Sequence, residues 1–141
     1  NNLSQVTIDG TNVSTFINPS TMLVINGADG NDVITISGVD SLFDAAIMIV
    51  AGAGDDAVTV DHTISDDVTL DAGAGSDLLQ VNGTAVTVVT HTFTNSSDGT
   101  IVLSDTSAAT IAYTGLEPIT DNVSATDRVF NFGAGPAMLP I

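Results

Sequence analysis

Three glycine-rich segments hold the carboxylates whose spacing suits them to act together: Gly27-Ala28-Asp29-Gly30-Asn31-Asp32, Ala51-Gly52-Ala53-Gly54-Asp55-Asp56 and Ala72-Gly73-Ala74-Gly75-Ser76-Asp77. Each closes on an aspartate, Asp32, Asp56 or Asp77, two residues after a glycine, Gly30, Gly54 or Gly75. Those glycines recur at intervals of 24 and 21 residues, the range in which stacked repeat architectures fall. If the segments stack one above another, the three aspartates form a ladder of like charges about 4.8 Å apart. Neighbours then repel by about 0.9 kcal/mol in water and about 3.5 kcal/mol at an effective dielectric of 20. A hard divalent cation would offset that repulsion, bound by the three carboxylates, by Asn31 and Asp55 beside them, and by carbonyls at Gly30, Gly54 and Gly75. The metal-free alternative is that each aspartate accepts hydrogen bonds from turn amides.

The residues around these turns say what must position them. Three blocks align without gaps, Leu23–Ile36, Ile47–Val60 and Val68–Val81. In each, two short alternating runs flank the glycine turn, the pattern of strand, corner, strand. Read with period 2, one face collects Leu23, Ile25, Ile34 and Ile36, then Ile47, Ile49, Val58 and Val60, then Val68, Leu70, Leu79 and Val81. All are aliphatic, which equivalent inward residues of stacked strands require. Helices are excluded, because apolar residues do not recur at three and four and glycine, aspartate and β-branched residues interrupt every window. The opposite face, with Val24, Val33, Met48, Val50 and Leu78, is more apolar than a solvated face, so it calls for cover from elsewhere in the chain or from a neighbouring subunit. The expected fold is all-β, a parallel β-solenoid with rungs of 21–24 residues. Further strand-like runs are expected over 5–8, 13–17, 85–94, 101–103, 109–113 and 128–132, with a bulge or corner at Val88-Val89.

The turns resemble the calcium-binding nonapeptide G-G-x-G-x-D-x-U-x of RTX repeat proteins, each being followed by an aliphatic residue at Ile34, Val58 or Leu79. The resemblance implies calcium as the cation. It departs from that pattern in spacing, since RTX nonapeptides run in tandem and here an extra strand and loop intervene. A second resemblance lies in Tyr113-Thr114-Gly115-Leu116-Glu117-Pro118-Ile119 and Phe16-Ile17-Asn18-Pro19-Ser20. Both are similar to segments of very long, repetitive bacterial cell-surface proteins, adhesins or filaments, which implies a secreted, modular, extracellular parent. Residues 1–119 then form one repeat module, and 120–141 begin a further repeat that contacts the next module or subunit.

Composition excludes several functions. Against 17 acidic residues stands one cation, Arg128, giving a net charge of −16. Nucleic acid and anionic membranes need a basic patch, so neither is an expected partner. With 43% hydrophobic residues the chain is too apolar to be disordered, and with only 4% aromatics its core must be aliphatic. There is no cysteine, hence no disulfide and no thiolate metal site. No apolar run reaches the length of about 20 residues that spans a bilayer. A β-helix enzyme acting on polysaccharides is the catalytic alternative, but the chain offers it only Arg128, His62 and His91 as cations, expected at exposed strand ends, and no paired carboxylates stand out. An outward-facing glycan- or ice-binding surface is a second alternative, with Thr35 and Thr59 stacked and Gln80 interrupting the row. The reading that absorbs most residues is a non-enzymatic structural module, stabilised by calcium and stacked end to end with copies of itself or with adjacent modules.

Overall fold

The computed structural model describes residues 3–8, 12–104 and 109–133. Within them lie β1 (Leu3–Ile8), β2 (Asn12–Ile17), β3 (Met22–Asn26), β4 (Val33–Ile36), β5 (Ala46–Ala53) and β6 (Ala57–Asp61). There follow β7 (Val68–Ala74), β8 (Leu78–Phe93), β9 (Gly99–Ser104), β10 (Ala109–Thr114) and β11 (Ile119–Phe132). Strands β1 and β2 pair antiparallel as a separate two-stranded sheet. Ser4 Oγ donates to Asn18 Oδ1 at 2.6 Å, and Asn18 Nδ2 donates to Asp40 Oδ1 at 3.2 Å, which ties the chain after the hairpin to the β4–β5 loop.

The other nine strands form one sheet, with order β3-β5-β7-β10-β9-β8-β6-β4 and β11 added against β8. The three sequence blocks do place their strands parallel and in register: Ile25 beside Ile49 beside Leu70, and Ile34 beside Val58 beside Leu79. The expected parallel β-solenoid is nonetheless wrong, because the sheet is mixed and curls into a half-barrel. β9 runs antiparallel to both β8 and β10 and joins the two parallel ladders through hydrogen bonds. The cause is a reversal at Asn95-Ser96-Ser97-Asp98-Gly99. There Asn95 Oδ1 accepts the amides of Ser97 at 2.8 Å and Asp98 at 2.9 Å, and the Thr94 amide donates to the Asp98 carbonyl at 2.9 Å. Asparagine, serine and glycine favour such local turns. The chain therefore folds back on β8 instead of starting another rung. β10 returns parallel to β7, and β11 parallel to β8.

The core is the inside of this curl, built from Ile47, Ile49, Val58, Val60, Val68, Leu70, Leu79 and Val81 with Ile101, Leu103 and Ile111 from the later strands. Fully burying each such side chain contributes roughly 1.5–3 kcal/mol. Leu23, Ile25 and Ile34 of the first block are only half-buried, because β3 and β4 end their ladders. On the opposite face nothing among the described residues covers Val24 or Val33, the latter 80% exposed. The ladder irregularity falls at Thr84-Ala85, where pairing slips between Val123 and Ala125 and Ala85 has φ 64°, a few residues before the expected Val88-Val89 step. Of the expected further repeat, 120–132 lie in β11 along β8, and 134–141 lie outside the described residues.

Candidate functional site

The glycine corners form a column. The Gly30 amide donates to the Ala53 carbonyl at 2.7 Å and the Gly54 amide to the Ala74 carbonyl at 2.8 Å, so each corner hangs from the next. Glycine is required by the closeness of this stacking. A Cβ on Gly54 would stand 2.3 Å from the Gly30 carbonyl oxygen, and one on Gly75 would stand 1.8 Å from that of Gly54. Both residues also have positive φ, 141° and 148°, where L side chains are strained.

Two side-chain ladders run through the column in opposite senses. On the inside, Asp56 Oδ1 accepts the Asp32 amide at 2.7 Å, and Asp77 Oδ1 accepts the Asp56 amide at 2.9 Å. On the outside, Asn31 Oδ1 accepts the Asp55 amide and Asp55 Oδ1 accepts the Ser76 amide, both at 3.0 Å. The inner carboxylates point from later corner to earlier, and the outer groups from earlier to later. Hydrogen bonds to a carboxylate, as at Asp55, Asp56 and Asp77, contribute about 1.5–3 kcal/mol each when buried and less at the surface, and the bond to the neutral Asn31 side-chain amide contributes about 0.5–1.5 kcal/mol. Asp56 and Asp77 are 2% and 1% exposed, and Asp32 is half-buried.

Asp56 and Asp77 each use one oxygen, Oδ1, in this ladder, and Asp32 enters it through its amide. Oδ2 of Asp32, Asp56 and Asp77 is buried with no hydrogen-bond partner among the described residues. Buried acceptors left alone cost about 1–3 kcal/mol apiece, more when charged. Among the described residues no three acidic or imidazole side chains converge into one ligand set, so a cation here would be shared between one or two carboxylates and backbone carbonyls. Three orphaned hard oxygens in a column, next to corners of bare backbone, suit calcium, which takes oxygen ligands in flexible geometry. The sequence thus brings Asp32, Asp56 and Asp77 together, with Asn31 and Asp55 in a parallel outer row. Gly30, Gly54 and Gly75 serve first as the points of close approach. Asp29 stays exposed, in an isolated bridge opposite Ala53.

The column has a different end at the fourth level. There β10 leads through Thr114-Gly115-Leu116-Glu117-Pro118 directly into β11, and the Glu117 amide donates to the Asp77 carbonyl at 3.1 Å. Glutamate thus follows Asp77, and Pro118, which has no amide to donate, takes part only as an acceptor, from the Leu79 amide at 3.3 Å.

A second polar cluster escaped the sequence reading. His91 is 3% exposed, not the exposed strand-end residue expected, and its Nε2 lies 3.0 Å from Asp121 Oδ2. Arg128 Nε donates to the same oxygen at 3.1 Å, Arg128 also donates to the Val123 carbonyl, and the Val123 amide donates to Asp121 Oδ1 at 2.8 Å. Burial tends to push the Asp121 carboxyl up, but the hydrogen bonds from Arg128, His91 and Val123 outweigh it and hold it below its usual range. Phe130 stacks on His91 with ring centroids 5.2 Å apart, and Phe132 on Phe93 at 5.3 Å. The available signal was the pair of alternations His91-x-Phe93 and Phe130-x-Phe132. It becomes readable only once β11 is known to lie in register on β8, placing Phe130 opposite His91 and Phe132 opposite Phe93.

No protein-family model, curated protein or solved structure matches the chain.

Proposed function

We propose that the chain is a non-catalytic structural module of an extracellular bacterial surface or filament protein, that its glycine-aspartate column takes up calcium, and that it joins end to end with adjacent modules or further copies. The observation that carries the reading is the column itself: three aspartates in a row, Asp56 and Asp77 buried with Oδ1 bonded to the preceding corner and Asp32 half-buried at its end, all three with Oδ2 left without a partner among the described residues. A carboxylate row of this kind adds to the repulsion of a chain with net charge −16, and a bound divalent cation would relieve both. The resemblance of the corners to RTX turns points to the same ion. The joining of modules is supported by β3, β4 and β11, each of which leaves one edge unpaired among the described residues.

The test is a pair of thermal melts followed by circular dichroism, in EDTA and in excess calcium, on the native chain and on Asp56→Asn. Saturation at 100 times the dissociation constant adds about 2.7 kcal/mol of stability. Calcium is expected to raise the native midpoint by several degrees and to raise that of Asp56→Asn by less than half as much. The variant keeps the oxygen that accepts the Asp32 amide, so its loss of response would reflect charge rather than the missing hydrogen bond. Coincident melts in EDTA and calcium would remove the cation from the reading and leave the hydrogen-bonded ladder alone.

A further inference from the structure

Beyond the last aspartate of the column, a cleft of about 520 Å³ opens between β8, β11 and the β10–β11 corner. Sites for small molecules span roughly 300–1,000 Å³ and combine apolar walls with a few placed polar groups. This cleft has both. Its apolar wall includes Phe93 and Phe130, the latter 53% exposed, an unusual setting for a large ring in a chain with so few aromatics. Its polar groups include Arg128, the only arginine or lysine in the chain, held rigid by Asp121 and the Val123 carbonyl. Tyr113 also lines it, with a buried hydroxyl that has no hydrogen-bond partner among the described residues. Glu117 contributes an exposed carboxylate at the rim.

We propose that this cleft binds a neutral saccharide, with the C–H face of one sugar ring against Phe130 and its hydroxyls meeting Arg128, Tyr113 and Glu117. The choice of ligand follows from the match of groups. A sugar hydroxyl donates and accepts at once, and the wall offers donors in the guanidinium and the phenol, with an acceptor in the glutamate. The apolar side of the ring needs a flat aromatic partner, which Phe130 supplies with the ring surface not stacked on His91. Anionic ligands are disfavoured, since Asp121 already neutralises Arg128 and Glu117 adds a further negative charge. A cationic ligand would meet the guanidinium and leave both donors unused. Burial, followed by the charge of Asp98, pushes the Tyr113 hydroxyl up, which keeps its proton in place to donate. This surface is distinct from the outward row that contains Thr35 and Thr59, and it meets the aspartate column only at the Glu117 amide, which donates to the Asp77 carbonyl.

The experiment is a titration of the whole ¹⁵N-labelled chain with maltohexaose, cellohexaose and chitohexaose, with choline chloride and glucose 6-phosphate as competing probes, each run in calcium and in EDTA. At least one neutral hexasaccharide is expected to bind one-to-one, moving the amide signals of Asp121, Arg128 and Phe130, with a dissociation constant of roughly 0.01–1 mM. Phe130→Ala is expected to weaken that binding by about tenfold or more. Because Phe130 is half out of the core, the variant's melting curve verifies that its fold survives, and Glu117→Gln supplies a second, fully surface substitution expected to weaken binding by a smaller factor. No response to any of the three sugars at about 5 mM would overturn the proposal. So would preferential binding of choline or the sugar phosphate, or sugar affinity unchanged in a folded Phe130→Ala.

Discussion

At the scale of single residues, the corner glycines differ according to what lies above them. A Cβ on Gly54 or Gly75 would strike a backbone carbonyl, whereas one on Gly30 meets nothing within 4 Å. All three sit at positive φ, so each alanine variant carries backbone strain of about 1–3 kcal/mol. Only the stacked pair adds a clash that the backbone must move to relieve, a further 1–3 kcal/mol or so. Chemical denaturation should therefore place Gly54→Ala and Gly75→Ala at about 3 kcal/mol or more below the native chain, with Gly30→Ala at about half that loss. Equal losses at all three positions would mean that the corners are not packed on one another in solution. Ala28 offers the reverse case: it holds φ 76° where the next two corners have Gly52 and Gly73, so Ala28→Gly should add about 0.5–1 kcal/mol. The spacing of the corner glycines and aspartates was legible in the sequence because each position repeats the same steric demand. The opposed sense of the two hydrogen-bond ladders was not, since Asn31, Asp55 and Ser76 differ in type and only their backbone positions are equivalent.

At the scale of elements, the strands of the three blocks were legible because an aliphatic inward residue recurs at every second position and stacks on its counterpart. What the same pattern could not convey is direction after Phe93. Strands β9 and β10 alternate just as the earlier ones do, and alternation is the same for parallel and antiparallel neighbours. The antiparallel turn was written only in Asn95 through Gly99, whose local hydrogen bonds reverse the chain. The opposite end of the sheet carries a different consequence. β4 is a four-residue edge strand paired only with β6 among the described residues, and Val33 on it is 80% exposed. Natural edge strands are normally guarded by charge, and this one is not. Sedimentation velocity should therefore show association that grows with protein concentration, and Val33→Lys should weaken it by about tenfold or more while leaving the melting point nearly unchanged. A native chain that stays monomeric across the accessible range would rule out joining through this edge.

At the scale of the whole molecule, charge sets how stability responds to pH, and two aspartates should respond with opposite signs. Asp121 is held below its ordinary range in the folded state, so folding favours its ionised form. Its contribution is therefore complete above the unfolded value of about 3.9 and disappears as pH falls through the lower folded value. Asp66 is pushed up, first by burial and then by the charges of Asp44 and Asp67, and its Oδ2 is buried without a partner among the described residues. Folding therefore disfavours its ionised form: the penalty is complete above the raised folded value and is relieved as pH falls towards the unfolded one. Melts at pH 7 should accordingly find Asp121→Asn below the native chain and Asp66→Asn above it. The Asp66 gap should shrink as pH falls from the raised folded value towards the ordinary carboxyl range, and the Asp121 gap only as pH falls below that range. Added salt separates these local effects from the general repulsion of 17 acids against one arginine. Because exposed charges are screened within about 10 Å at 0.1 M ionic strength, raising sodium chloride should lift the midpoint of every variant together. The gap between Asp66→Asn and the native chain should persist in salt, since the Asp66 penalty begins with burial, which ions do not screen. A gap that closed with salt would assign Asp66 to the general surface repulsion instead.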